Sequence, residues 1–146
     1  MTWFMDNQRP ESVTAVTQRF QPQYYPNTDD EATIVVRYPK AVGIIQASWN
    51  WPFARKDMEV YGETGYVHTD ALEGLRVRLP GGTEAASKAP PIPAPEHDSL
   101  AYFAAVVRGK LKPVGLSSLE NNLVVTQILH AARASAASGK TVLIAR

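Results

Sequence analysis

The chain has 146 residues, with 15 basic against 14 acidic side chains and a formal net charge of +1. This length fits one domain, and the charge balance lacks the basic excess that nucleic acid or an anionic membrane attracts. The chain has no cysteine, which excludes disulfides and thiolate zinc sites. It also has no secretory pattern and no run of roughly 20 apolar residues, so we expect a cytoplasmic protein with no membrane partner.

The first half of the chain alternates apolar and polar residues as antiparallel strands do. Ala32, Ile34, Val36 and Tyr38 recur at every second position, the period of a half-buried strand. Gly62-Glu63-Thr64-Gly65 supplies the glycines of a hairpin turn. The pattern predicts six strands in one meandering sheet, over residues 12–20, 32–38, 42–50, 58–61, 66–70 and 75–79.

The composition then changes to proline, glycine, alanine and serine over residues 80–96. This segment includes Pro90-Pro91-Ile92-Pro93-Ala94-Pro95, which can neither donate ladder hydrogen bonds nor continue a helix. We expect an extended surface loop between the sheet and the helices.

Two helices are predicted after the loop. Asp98 or Ser99 can cap the first, which ends at Gly109. The second begins with the capping box Ser117-x-x-Glu120 and ends at Gly139, and a closing strand follows over residues 141–144. The order of elements predicts one α+β domain over residues 1–146, with an open-faced, mainly antiparallel β-sheet and helices on one face.

Two stretches carry a family resemblance. Residues 47–67, beginning Ala-Ser-Trp-Asn-Trp-Pro-Phe, and the helical run from Ser117 to Val142 resemble the second half of Gfo/Idh/MocA (glucose-fructose oxidoreductase/inositol dehydrogenase) oxidoreductases. The resemblance covers about Arg9 to Val142. It implies an open-faced sheet domain that helps to form the substrate site and mediates oligomerisation. It also implies hydride transfer between NAD or NADP and a sugar, polyol or related compound in the intact enzyme.

The parts that the family uses for catalysis are missing from this sequence. The fingerprint G-x-G-x-x-G does not occur, so no cofactor-binding residue and no Rossmann domain is predicted. The family's acid/base residues lie ahead of the sheet, and Asp6 is better explained as a frayed helix end. Lys112-Pro113 does not match the family's Glu-Lys-Pro motif, because Leu111 precedes it. No catalytic residue is therefore assigned.

Three side chains are predicted to contact a small-molecule substrate. Trp49 and Trp51 alternate with Asn50, so both rings are expected on the same side of the sheet near a strand end. They could form an apolar platform for a sugar ring, or they could pack at an interface, where aromatic residues are enriched. Arg55 offers a planar fork of donors for a substrate hydroxyl or carboxylate. The alternative for Arg55 is a solvated strand entrance.

The histidines do not predict a metal site. His68, His97 and His130 have no metal-ligand spacing among themselves or with carboxylates.

The sequence therefore predicts the substrate-binding and oligomerisation domain of an NAD(P)-dependent oxidoreductase, inactive by itself. The alternative is a free-standing dimeric binding or scaffold protein derived from this domain. In both cases we expect a homodimer joined through the open sheet face, because two helices can cover only one face. The exposed side was expected to carry Val35, Ile45, Trp49 or Tyr61.

Overall fold

The computed structural model describes residues 1–70 and 74–144. Within these residues a short 3₁₀ helix, Thr2–Met5, precedes eight strands and two α-helices. The strands are β1 (Ser12–Gln18), β2 (Glu31–Tyr38), β3 (Ala41–Ser48), β4 (Met58–Gly62), β5 (Gly65–Thr69), β6 (Gly74–Arg78), β7 (Ala85–Lys88) and β8 (Val142–Leu143). The helices are α1 (Ser99–Val107) and α2 (Leu119–Ser138), and a second 3₁₀ turn, Gly115–Ser117, precedes α2.

The chain divides into two compact units. The first contains Met1–Asn50 and Lys112–Arg146, and the second contains Trp51–Leu111. Each unit has its own four-stranded antiparallel sheet.

The sheet of the first unit has the strand order β3-β2-β1-β8, and α2 packs on one of its faces. Alternation decides which side chains meet the helix, since successive residues of a strand point to opposite faces. The buried core combines every second residue of two strands with one stripe of α2: Val13, Ala15, Val36, Tyr38, Val124, Ile128, Ala131 and Ala132. The small alanines of this stripe let the helix approach the sheet closely.

Within the described residues of the first unit, no helix covers the opposite face of the sheet, and that face carries exposed apolar residues. Val16, Val42, Ile44 and Leu143 are all exposed there. The register pairs Ile44 with Val35 and Ile45 with Ile34. Ile34 packs against the core, so its partner Ile45 also lies on the helix side of the sheet. The prediction that Ile45 lies on the open face is therefore wrong, and the adjacent Ile44 lies there instead.

The start of α2 is one residue later than its sequence pattern indicated. Ser118, not Ser117, is the N-cap, and its hydroxyl accepts a hydrogen bond from the Asn121 N–H at 3.1 Å. The buried Asn121 side chain also accepts from the Thr2 hydroxyl at 2.6 Å. This bond ties the N-terminal 3₁₀ helix to α2. Gly139 ends the helix with φ 67°, as predicted.

The second unit contains the sheet β4-β5-β6-β7 and the helix α1. Gly65 has φ 149° in the predicted hairpin, and a Cβ there would collide with the Arg78 carbonyl of the adjacent strand. Asp98 caps α1 by accepting from the Ala101 N–H at 2.7 Å. Strand β7 lies inside the segment that was predicted to be a loop over residues 80–96.

The fold class is confirmed as α+β with antiparallel sheets, but the prediction of one meandering sheet is wrong. The strands separate because residues 49–57 form no strand between β3 and β4. Pro52 lies in this stretch and has no N–H to continue a ladder.

Candidate functional site

Trp51 and Arg55, two of the three predicted substrate contacts, lie together in the second unit. The Arg55 guanidinium carbon lies 5.1 Å from the centroid of the Trp51 ring, within the range of a cation–π interaction. Both carboxylate oxygens of Asp57 accept hydrogen bonds from the same guanidinium. Its Oδ1 accepts from Nε at 2.7 Å and its Oδ2 from one terminal nitrogen at 3.0 Å.

This bidentate pair stabilises the cationic form of Arg55 and the anionic form of Asp57. The hydrogen bonds and negative charge of Asp57 raise the pKa of Arg55. The hydrogen bond from Arg55 likewise lowers the pKa of Asp57 below its ordinary value. Arg55 is therefore a permanent cation whose orientation is set before any ligand arrives. The other terminal nitrogen of Arg55 can donate hydrogen bonds to a ligand, and the Trp51 ring beside it offers an apolar surface.

Trp49, the third predicted contact, lies in the other unit. Strand β3 ends at Ser48, so Trp49 and Trp51 both lie beyond the strand and its alternation does not apply to them. Strand alternation therefore gives no basis for placing both rings on one side of a sheet. Trp49 instead packs against Tyr25, with ring centroids 4.9 Å apart and planes inclined by 49°.

Asp30, a buried residue at the end of a loop, holds this aromatic pair in place. Its carboxylate accepts hydrogen bonds from the N–H groups of Phe20 at 2.9 Å and Gln21 at 2.8 Å. Its main-chain carbonyl accepts from the Trp49 N–H at 2.9 Å. Asn50 donates its side-chain amide to that same carbonyl at 3.2 Å. One residue thus joins the loop of residues 19–30 to the turn that carries Trp49.

These donors also determine the charge of Asp30. Burial by itself would raise its pKa, but the Phe20 and Gln21 N–H groups and the Asn50 amide lower the pKa below the ordinary value. Asp30 therefore remains an anion held by neutral donors.

The sequence patterns did not identify a polar network on one face of the second sheet. The Tyr61 hydroxyl donates to Glu59 Oε2 at 3.0 Å, and His68 Nε2 lies 3.0 Å from the Tyr61 oxygen. Because the Tyr61 proton faces Glu59, His68 Nε2 carries a proton, and its Nδ1 can accept from Arg76 at 3.4 Å. The carboxylate of Glu59 raises the pKa of Tyr61.

A second set of contacts completes this network. Tyr66 stacks on His68 with ring centroids 4.6 Å apart and donates its hydroxyl to Glu84 at 2.9 Å. Glu84 is also 3.7 Å from Arg76. These polar groups bond to one another and form one hydrogen-bond network across the strands. In the sequence, Glu59 and Tyr61 are two residues apart, and so are Tyr66 and His68. The hairpin register pairs Tyr61 with Tyr66 and Glu59 with His68, so all four side chains share one face of the sheet.

A depression in the first unit, of about 550 Å³, contains none of the predicted contacts. It is lined by Gln8, Arg9, Pro10, Glu11, Pro39, Leu143 and Ile144.

The glycines do not form a dinucleotide site in the described parts of the chain. Gly65 closes a hairpin, Gly81 and Gly82 lie in a turn after β6, and Gly139 ends α2. A pyrophosphate site needs a glycine-rich turn that leads from a strand into a helix N-terminus. The residues present do not fit that arrangement, so no step of a nicotinamide reaction is assigned to them.

Residues 1–70 and 74–144 contain no group of three or more histidine or acidic side chains that could hold a metal ion. Among these residues, neither helix combines the length and apolar character needed to cross a lipid bilayer.

One family model matches the first part of the chain. Residues 1–68 match the family described as GFO/IDH/MocA C-terminal domain. This match and the fold of the solved structures below confirm the resemblance to the C-terminal domain of Gfo/Idh/MocA oxidoreductases. No curated protein sequence matches the chain significantly.

Solved structures share the fold over nearly the whole chain. A Thermotoga maritima protein of proposed oxidoreductase function matches 98% of the chain with a TM-score of 0.77 and 19% identity. The aldose-aldose oxidoreductase from Caulobacter crescentus, solved with glycerol, matches 97% with a TM-score of 0.76 and 19% identity. An inositol dehydrogenase homolog from Azotobacter vinelandii, solved with NADH and myo-inositol, matches 93% with a TM-score of 0.67 and 15% identity.

The chain spans less than half the length of these proteins. It covers 43% of the Thermotoga protein, 43% of the Caulobacter enzyme and 44% of the Azotobacter protein. In fold, the chain therefore corresponds to one part of each of these longer proteins.

Proposed function

We propose that this chain is the substrate-side and oligomerisation domain of a cytoplasmic NAD(P)-dependent oxidoreductase that acts on a sugar, polyol or related compound. The observation that carries the proposal is the fold match, which covers 98% of this chain but only 43% of a larger protein. The Azotobacter relative was solved with NADH and myo-inositol, and this supports a nicotinamide cofactor and a polyhydroxylated substrate.

Trp51 and Arg55 are the proposed contacts for that substrate in the second unit. An aromatic ring buries the C–H face of a sugar, and guanidinium N–H groups donate to its hydroxyl oxygens. Asp57 keeps Arg55 oriented over Trp51 through two hydrogen bonds. The arrangement binds and orients a ligand, and it assigns no proton or hydride transfer to these residues.

A nucleotide-binding domain is the proposed source of the cofactor site and the acid/base residues. An apolar surface of the first unit supports its docking. Trp3 and Phe4 of the N-terminal 3₁₀ helix are exposed, and so are Leu116 in the 3₁₀ turn before α2 and Leu119 at the start of α2. The Thr2–Asn121 hydrogen bond holds these two segments together. Exposed apolar area of this kind marks an interaction surface.

We also propose a homodimer through the open face of the first sheet. Val16, Val42 and Ile44 are exposed on that face. A two-fold axis would bury this surface against a second copy of itself.

The first test is a calorimetric titration of the chain with NADH. We expect no saturable binding, because the glycine turns do not fit a pyrophosphate. Binding tighter than about 100 μM, roughly −5.5 kcal/mol, would contradict the proposal.

The second test uses the chain joined to the nucleotide-binding domain that the proposal expects in frame upstream. Steady-state kinetics of Trp51→Ala and Arg55→Ala are compared with the parent and with Lys56→Ala, a neighbouring charge, as a matched control. We expect each of the first two changes to lower kcat/KM more than threefold. If neither does, the turn is structural.

The free-standing scaffold remains the competing candidate, supported by the same exposed sheet face. It predicts a dimer whose gene encodes no Rossmann domain in frame. The upstream sequence therefore separates the two functions.

A further inference from the structure

We propose that Tyr25 and Trp49 form a second ring-binding contact for a sugar or cyclitol, and that Asp30 is the residue that positions both rings. This inference rests on the proposed function, because it adds a contact for the same substrate class. It involves residues of the first unit only.

The two rings form a platform rather than part of the core. Their centroids are 4.9 Å apart, and Trp49 leaves 62% of its surface exposed. Tyr25 packs against the indole, and most of an indole surface is apolar. Such a surface suits the C–H face of a cyclic polyol, whose hydroxyls can remain in water.

The loop that carries Tyr25 is fixed by its own side chains. Arg19 donates from one terminal nitrogen to the Pro26 carbonyl at 2.7 Å and from Nε to the Thr28 carbonyl at 3.0 Å. These two bonds enclose the segment that contains Tyr25. A loop ordered before binding loses less conformational freedom when the ligand arrives, and affinity gains accordingly.

Asp30 connects this loop to Trp49. Its carboxylate holds the beginning of the loop through the Phe20 and Gln21 N–H groups, and its carbonyl holds the Trp49 N–H. Asn50 reinforces the junction, because its Oδ1 accepts from the Gln21 side-chain amide at 2.5 Å. A change at Asp30 should therefore move Tyr25 relative to Trp49 without touching either ring.

The charged side chains of this loop have hydrogen-bond partners of their own. The Arg19 guanidinium donates to loop carbonyls, and Asp29 accepts from the Thr17 hydroxyl at 2.6 Å. Both charged groups thus have partners within the loop and its flanking strand. What the pair offers to a ligand is aromatic surface, which suits the C–H face of a ring.

The test is a titration of the chain with myo-inositol, followed by NMR of the indole N–H signals of Trp3, Trp49 and Trp51. Single Trp→Phe variants assign the three signals. We expect saturable movement of the Trp49 signal with a Kd of about 1 to 10 mM, the range that a few contacts provide. Glycerol, which has no ring, should move it at least fivefold less at equal concentration.

Variants separate the platform from nonspecific contact. We expect Tyr25→Leu to weaken binding at Trp49 at least threefold. The matched control is Phe4→Leu. It changes the neighbour of Trp3, an equally exposed tryptophan at 55%, with ring centroids 5.3 Å apart. The control should leave the Trp49 affinity unchanged. Equal effects of the two variants would overturn the proposal.

Asp30→Asn tests positioning. We expect the Tyr25–Trp49 nuclear Overhauser contacts to weaken and the affinity to fall at least threefold, while contacts between Val13 and Ile128 in the core persist. Unchanged ring contacts would show that Asp30 does not position the pair. Movement of the Trp51 signal without Trp49 would overturn this inference and leave the proposed function standing. If myo-inositol moves neither signal, this inference is overturned, and the kinetics of Trp51→Ala and Arg55→Ala in the joined enzyme decide the proposed function separately.

Discussion

The Ser135 hydroxyl, in the last turn of α2, accepts a hydrogen bond at 2.9 Å from the backbone N–H of Ala15 in β1. Strand β8 pairs only with Ser12 and Val13, so the ladder on that side of β1 ends before Ala15. Ser135 supplies the acceptor that the missing strand residue would have provided. Its side chain is fully buried, and the bond therefore joins the helix to the sheet inside the core.

We predict that Ser135→Ala lowers the free energy of unfolding by about 1–3 kcal/mol, because it leaves the Ala15 N–H buried without an acceptor. Thr126→Ala is the control on the same helix. The Thr126 hydroxyl is exposed and bonds only the Asn122 carbonyl one turn earlier. Its loss should change stability by less than about 0.5 kcal/mol. Urea unfolding of both variants measures the difference, and equal effects would contradict the role of Ser135.

Removal of the Tyr38 hydroxyl, unlike that of Ser135, is not expected to destabilise the fold. Tyr38 is 3% exposed, and its hydroxyl has no hydrogen-bond partner among the described residues. Burial also raises the pKa of this phenol. Tyr38→Phe removes a buried polar atom and keeps the ring, so we predict stability unchanged or raised by up to about 1 kcal/mol. A loss of more than 1 kcal/mol on thermal unfolding would mean that the hydroxyl has an acceptor in solution.

The sequence predicted the elements whose signals are local. Alternation located β2 and β3, and Gly139 marked the end of α2. It did not predict β7, because Ala85–Lys88 has the small-residue composition of a loop and becomes a strand only by pairing with β6. The sequence also did not predict the division into two sheets. That division depends on the absence of strand pairing over the nine residues 49–57, which their individual strand propensities do not reveal.

The candidate site shows the same limit. Arg55 was predicted from its donor fork, and the structure does bring it over Trp51. Tyr25 was not predicted, because it reaches Trp49 from a loop 24 residues earlier in the chain. Asp30 was not predicted either, since its role depends on hydrogen bonds to backbone groups that no sequence motif records.

The lowered pKa of Asp30 predicts acid sensitivity. A carboxyl group whose folded pKa lies below its ordinary value of 3.8 stabilises the fold fully above that value. The stabilisation is lost as the pH falls through the folded pKa. We therefore predict that the parent loses more stability than Asp30→Asn between neutral pH and pH of about 3. Urea unfolding at several pH values measures this. Parallel curves for parent and variant would contradict it.

The open face of the first sheet leads to a prediction about assembly. The face lies opposite the helix, and Ile44 is 66% exposed at its outer strand. Val16 and Val42 are exposed on the same side. A face of this kind is covered when two copies meet about a two-fold axis, and a stable interface would bury about 1,600 Å² in total.

We predict that the chain sediments at micromolar concentration with twice its mass of 16.0 kDa. Ile44→Glu should convert it to a monomer, because two copies of the new carboxylate would be desolvated in the interface. The matched control is Leu123→Glu, at an exposed apolar position on α2 (53%), which should leave the dimer intact. Circular dichroism is the check that both variants remain folded. A parent chain that sediments as a monomer, or dimers that survive Ile44→Glu and dissociate with Leu123→Glu, would contradict assembly through the sheet.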